Sequence, residues 1–158
     1  MDEKSIKMID KWGAESLGMG WTAIPTTLIF LQSQLQITPL GLNILLNLVA
    51  HWWDANEKPY PAQESLASRM GVSKRSVQRE LNSLIGLGLI SKKQSSKNHP
   101  KYRGRNSYDL TPLVKILNEF SPSLVAAMKN KKTAASREVG GDRKRENPSD
   151  ILDDRGEG

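Results

Sequence analysis

The chain has no cysteine and only two histidines. The first absence excludes a disulfide framework, a thiolate metal site and a cysteine nucleophile, and it fits a reducing cytosol. His51 stands in an apolar stretch and His99 in a polar loop, too few ligands for a shared metal site. They are read as a packed and a solvated imidazole, and no metal or other cofactor is expected. Long apolar runs are also missing. The longest, Leu40 to Trp53, is interrupted by Asn43, Asn47 and His51 and is too short and too polar to span a bilayer. The opening MDEKSIKMIDKWG has no apolar signal core, so a soluble, cytoplasmic protein is expected, with no membrane partner. Carboxylates are sparse and none pairs beside a nucleophile. The GMG at 18–20 is too short for a phosphate-binding loop, and an enzyme is not expected.

What is present is a concentrated positive charge. The chain has 158 residues, enough for one domain with a proper core, but its apolar fraction of 37% implies that part of it stays unstructured. Net charge is +6, unevenly spread. Residues 60–108 hold ten lysines and arginines against Glu64 and Glu80, a local surplus of +8, whereas residues 1–59 hold four cations and six anions. A polyanion is the natural partner of such a segment, and nucleic acid is the commonest polyanion.

Punctuation divides the chain into a partly flexible segment over 1–20, a domain over 21–128 and a disordered, charged tail over 129–158. Gly13, Gly18 and Gly20 argue against one continuous helix at the start. Trp21 to Ile24 reads as extended. Thr26 to Leu35 reads as a helix with Leu28, Leu31 and Leu35 on one side. The clearest helix follows Thr38 as cap and Pro39 at its first position, with Leu42, Leu45, Leu46, Val49 and Trp53 at helical spacing. A break at NEKPYP precedes a short helix over Ala62 to Met70. Thr111 and Pro112 repeat the cap-plus-proline start for a helix over Leu113 to Phe120, and Ser121 and Pro122 start another through Met128.

Between these lies GVSKRSVQREL, Gly71 to Leu81. Gly71 permits a left-handed turn, Val72 points inward and Ser73 caps a second helix that runs to about Ile85. Val72 and Val77 are placed for a hydrophobic staple. Leu66, Val72, Val77, Leu81 and Leu84 can share a small core that holds two helices at the angle of a helix-turn-helix. The opposite face then carries Arg75, Gln78, Arg79 and Asn82, side chains that pair with guanine or adenine edges in a major groove. Ser73, Lys74 and Ser76 at the helix start suit phosphates. The plain alternative is a solvated charged face on a packed helix.

The next segment argues against that alternative. LISKKQSSKNHPKYRGRNSYDL has apolar ends that can pair as strands and a basic middle with Lys92, Lys93, Lys97, Lys101, Arg103 and Arg105. A hairpin over 91–107 directly after a helix-turn-helix is a wing, able to reach phosphates or the minor groove. The expected fold is therefore mainly α with a small β-hairpin, a winged helix-turn-helix with extra N- and C-terminal helices.

GWTAIPTTLI, ITPLGLNILLNLVAHWWD, KPYPAQESLASRMGVSKRSVQRELNSLIGLGLI and GRNSYDLTPLVKIL together resemble a bacterial and phage helix-turn-helix family of replication-initiation proteins and transcriptional regulators, over about residues 18–118. Such sequences usually place serine after the P-Y-P, as a helix cap; here it is Ala62, a change that weakens a helix start by about 1 kcal/mol. The resemblance implies a sequence-specific double-stranded DNA-binding protein, a transcriptional regulator such as a repressor. A plasmid or phage replication or maintenance factor binding origin repeats is the alternative, and a protein-interaction module on a winged-helix scaffold a third reading. A palindromic site would imply a homodimer, with Thr26 to Leu35 and Leu113 to Met128 as its interface. No small-molecule ligand is expected, because too little chain remains for a sensing domain.

Overall fold

The computed structural model describes residues 2–141. The elements are α1 (Glu3–Trp12), a 3-10 turn (Glu15–Leu17), α2 (Thr26–Leu31), α3 (Pro39–Ala50), α4 (Gln63–Met70), α5 (Lys74–Gly86), β1 (Ser91–Gln94), β2 (Asn106–Asp109) and α6 (Thr111–Gly141). Among the described residues, those up to Glu119 form one compact unit and residues 120–141 belong to a second.

Side-chain chemistry sets most of the ends. Thr38 Oγ1 accepts the Gly41 N–H at 2.9 Å, and Pro39 follows where no donor is needed. Gly71 stops α4 at φ 67°, and the Val72 N–H closes the turn on the Ala67 carbonyl at 3.0 Å. Ser73 caps α5 by accepting the Ser76 N–H at 3.1 Å. Ala62 precedes α4 without any side-chain cap, as the sequence implies. The start of α6 differs from expectation. Its cap bond comes from Asp109, whose Oδ1 accepts the Thr111 N–H at 2.9 Å, so Thr111 is the first helical residue rather than the cap.

The core of the first unit gathers Ile44, Leu45 and Leu48 of α3, Leu66 of α4, Val77, Leu81 and Leu84 of α5, and Tyr108 of β2, all essentially inaccessible to solvent. Val72 is half-buried. The stripe that α3 buries is Gly41–Ile44–Leu45–Leu48; of the Leu42, Leu45, Leu46, Val49 and Trp53 side read from spacing, only Leu45 is buried. Because α3 is apolar nearly all round, its period leaves the inner face open. Gly41 lies on the buried face beside α5, where a Cβ would come within 3.1 Å of Thr38 Oγ1 and 3.4 Å of Glu80 Oε2. Thr38 Oγ1 donates to the same Glu80 Oε2 at 2.8 Å. On the other side, Arg69 Nη1 of α4 lies 2.9 Å from Asn47 Oδ1 and 3.2 Å from His51 Nε2. Burial first, and the Arg69 charge second, push the His51 pKa below its ordinary value, so the ring accepts this bond as a neutral imidazole.

Two further expectations are corrected. The helix expected over Thr26 to Leu35 ends at Leu31, where hydrogen-bonded turns take over and Gln36 adopts φ 58°. α6 runs unbroken through Ser121 and Pro122 to Gly141, past the expected start of disorder at 129, because Lys, Ala, Arg and Glu there favour helix. The expectation for 142–158 lies outside the described residues. No described helix is long and apolar enough to cross a membrane.

Candidate nucleic-acid interface

α4 and α5 are joined by the Gly71–Ser73 turn, and buried Leu66, Val77, Leu81 and Leu84 fix their angle. With 77, 81 and 84 inward, the helical period turns Lys74, Arg75, Gln78, Arg79 and Asn82 outward, and all five are exposed. Ser76 is half-buried, its hydroxyl 3.0 Å from that of Ser73.

β1 and β2 pair antiparallel in the register Ser91↔Asp109, Lys92↔Tyr108, Lys93↔Ser107 and Gln94↔Asn106. Tyr108 anchors the hairpin: its ring is buried, its N–H donates to the Pro59 carbonyl at 2.9 Å, and Gln63 Nε2 lies 3.3 Å from its hydroxyl. The strand period of two then sorts the cations. Lys92 faces α5, while Lys93 points to the other face, into a depression shared with Lys58 and His99.

Between α5 and the hairpin opens a cleft of about 550 Å³. Lys74, Gln78 and Asn82 line one wall and Lys92, Arg103 and Arg105 the other. Arg75 and Arg79 are exposed outside its lining. The loop carrying Arg103 is closed by hydrogen bonds from the Arg103 N–H to the His99 carbonyl (3.0 Å) and from the Gly104 N–H to the Ser96 carbonyl (2.8 Å). Both residues have positive φ, 48° and 81°. Lys97 packs beside this turn, where a Cβ on Gly104 would touch its Cγ at 3.4 Å. Lys101 leaves the cleft altogether and pairs with Glu57 of the α3–α4 loop at 3.1 Å.

Residues 35–90 match the family model of the helix-turn-helix domain. That segment is a helix-turn-helix domain. Among solved structures, the N-terminal domain of the DnaD protein from Geobacillus kaustophilus HTA426 is similar over 82% of this chain and 99% of its own, with 23% identity and a TM-score of 0.53. The S. aureus MepR–DNA complex is similar over 88% of this chain and 98% of the matched chain, with 17% identity and a TM-score of 0.44. No curated protein matches the chain in sequence. With the β1–β2 hairpin directly after it, the helix-turn-helix domain is winged, and the fold is mainly α with a small β-hairpin.

Two acids pair with cations of this basic surface, Glu64 from within residues 60–108 and Glu57 from outside that segment. Glu64, at the start of α4, is the one carboxylate among the described residues lining the cleft, and it pairs with Lys74. The hydrogen bond from Lys74 holds its carboxyl below the ordinary glutamate value. Glu57 does the corresponding work for Lys101, whose pKa this partner raises. Glu64 stood visibly inside the basic segment, but so did Glu80, which takes a hydrogen bond from Thr38, so composition alone did not pair Glu64 with Lys74. Glu57 lies 44 residues from Lys101 and carried no signal of its pairing.

Proposed function

We propose that the protein binds double-stranded DNA sequence-specifically and acts as a transcriptional regulator, with α5 in the major groove and the wing on the backbone or in the minor groove. The observation that carries this reading is the cleft in which Gln78 and Asn82, which can bond base edges, face three wing cations, Lys92, Arg103 and Arg105. Arg75 and Arg79 extend the same surface with guanine-reading chemistry. Lys74 and the Ser73–Ser76 pair stand at the helix start, where phosphates are met.

Selection of bound sequences from random duplex DNA tests the reading. A recovered motif supports it; no enrichment and no retention at low salt would remove it. An inverted repeat in the motif would speak for a dimeric regulator, and tandem copies for a factor that binds origin repeats. On the selected site, Arg75→Ala should cost about 1–3 kcal/mol and blur one base position, whereas Arg103→Ala should weaken every duplex alike. Equal losses on selected and random DNA for Arg75→Ala would reassign that residue to the backbone. Lys93 faces away from α5, so its contact with the same duplex would need the strand's other side.

A homodimer fits the remaining surface. Ile29 and Phe30 of α2 are exposed, as are Trp21, Trp53 and Val114 around an apolar cleft of about 380 Å³. In the second unit Phe120, Val125 and Met128 are exposed on α6. Apolar area of this kind is what a second copy would cover.

A further inference from the structure

Lys101 has the residue type of a phosphate contact but the surroundings of a structural cation. Its Nζ lies 3.1 Å from Glu57 Oε1, 5.9 Å from the centroid of the Tyr60 ring and 5.8 Å from that of Tyr102. The two rings meet edge to face with centroids 4.9 Å apart. His99 stacks on Tyr102 at 4.6 Å, and its Nδ1 accepts the backbone N–H groups of Lys101 and Tyr102 at 3.2 and 3.1 Å. Glu57 and Tyr60 belong to the α3–α4 loop; His99, Lys101 and Tyr102 belong to the loop of the wing. The cation thus joins two segments distant in sequence, and moving it to a phosphate would forfeit a carboxylate and two aromatic faces together.

We infer that Glu57, Tyr60 and Lys101 form a clasp that sets the angle of the wing against α5, so that Lys101 is a positioning residue for DNA binding rather than a phosphate contact. A two-stranded hairpin held only at its base is marginal in water and free to swing. Lys58–Asp109 at 3.1 Å and the Tyr108–Pro59 bond fix the base of this one, and the clasp fixes the far end. A wing already placed loses less freedom on binding, and Arg103 and Arg105, on the same loop, are held opposite α5. This inference rests on the DNA-binding reading above.

The test uses the full chain with Glu57→Gln, Lys101→Met, the double variant and Lys101→Arg. Affinity for the selected duplex is measured across a salt series, and hydrogen exchange of the Arg103 and Gly104 amides is measured without DNA. Glu57→Gln and Lys101→Met should each weaken binding about threefold to tenfold, with no further loss in the double variant. The salt slope should be unchanged, arginine at 101 should restore affinity, and the wing amides should exchange faster in both singles. The opposite pattern overturns the clasp: Glu57→Gln neutral or tighter, with Lys101→Met lowering the salt slope by about 0.9, as loss of one phosphate contact does. Unchanged amide exchange overturns it as well. If the wild-type chain binds no duplex, the DNA-binding reading falls, and the exchange rates still decide whether the clasp exists.

Discussion

At the scale of single residues, the proposed DNA-binding surface carries acids of its own. Glu64 is exposed, yet it occupies Lys74 at the point where a backbone phosphate would approach α5. A carboxylate in that position repels phosphates and takes up a cation that could otherwise meet one. Glu64→Gln should therefore tighten binding to all duplexes, selected or random, by about twofold to fivefold. It should also steepen the salt dependence by about 0.9 as Lys74 becomes available. The gain should disappear in Lys74→Met, and a gain that survives there would mean that Glu64 acts by long-range charge alone. Arg75 and Arg79 have no such acid partner among the described contacts, so they are the residues whose loss should be felt at a single base pair.

At the scale of elements, one joint depends on a charge: the passage from β2 into α6. Asp109 serves both sides: it caps α6 through Thr111 and pairs with Lys58. Hydrogen bonds from Thr111, and secondarily the Lys58 ammonium, hold its carboxyl down to about 2, against an ordinary 3.8. A depressed carboxylate adds stability that is complete above the ordinary value and is lost as pH falls through the folded one. Denaturant unfolding of the wild type between about pH 4 and pH 2 should thus lose stability more steeply than Asp109→Asn, and parallel pH curves would show that the joint does not depend on this charge. The same joint shows how legible the elements were. α4, the turn and α5 could be read because Gly71 and Ser73 punctuate them and Val77, Leu81 and Leu84 leave a single inner face. α3 offered several apolar faces, and only its packing in the fold selects the one that carries Ile44, Leu45 and Leu48. Ser121 and Pro122 looked like a break because proline lacks a donor, yet α6 continues past them. The candidate surface was readable as residue types along α5 and the wing. Lys93 and Lys101 were separated from the rest by strand alternation and by a loop far off in sequence, neither of which a basic composition reveals.

At the scale of the whole molecule, the exposed apolar side chains bear on the state of assembly. If α2 lies in a dimer interface, Phe30→Asp should convert a dimer to a monomer in sedimentation while leaving the helical circular dichroism unchanged. It should also weaken binding to an inverted repeat far more than binding to one half of it. A wild-type chain that sediments as a monomer would remove the dimer from the proposal. The turn at Arg103 matters at this scale too. An L-residue held at φ 48° costs roughly 1–2 kcal/mol that glycine would not. A domain of this size is stable by only about 5–15 kcal/mol in total, so one loop arginine draws on a sizeable share of what the entire core supplies. The wing is therefore a place where a more stable protein and a better-armed one are different sequences, and Arg103→Gly would move the chain from the second toward the first.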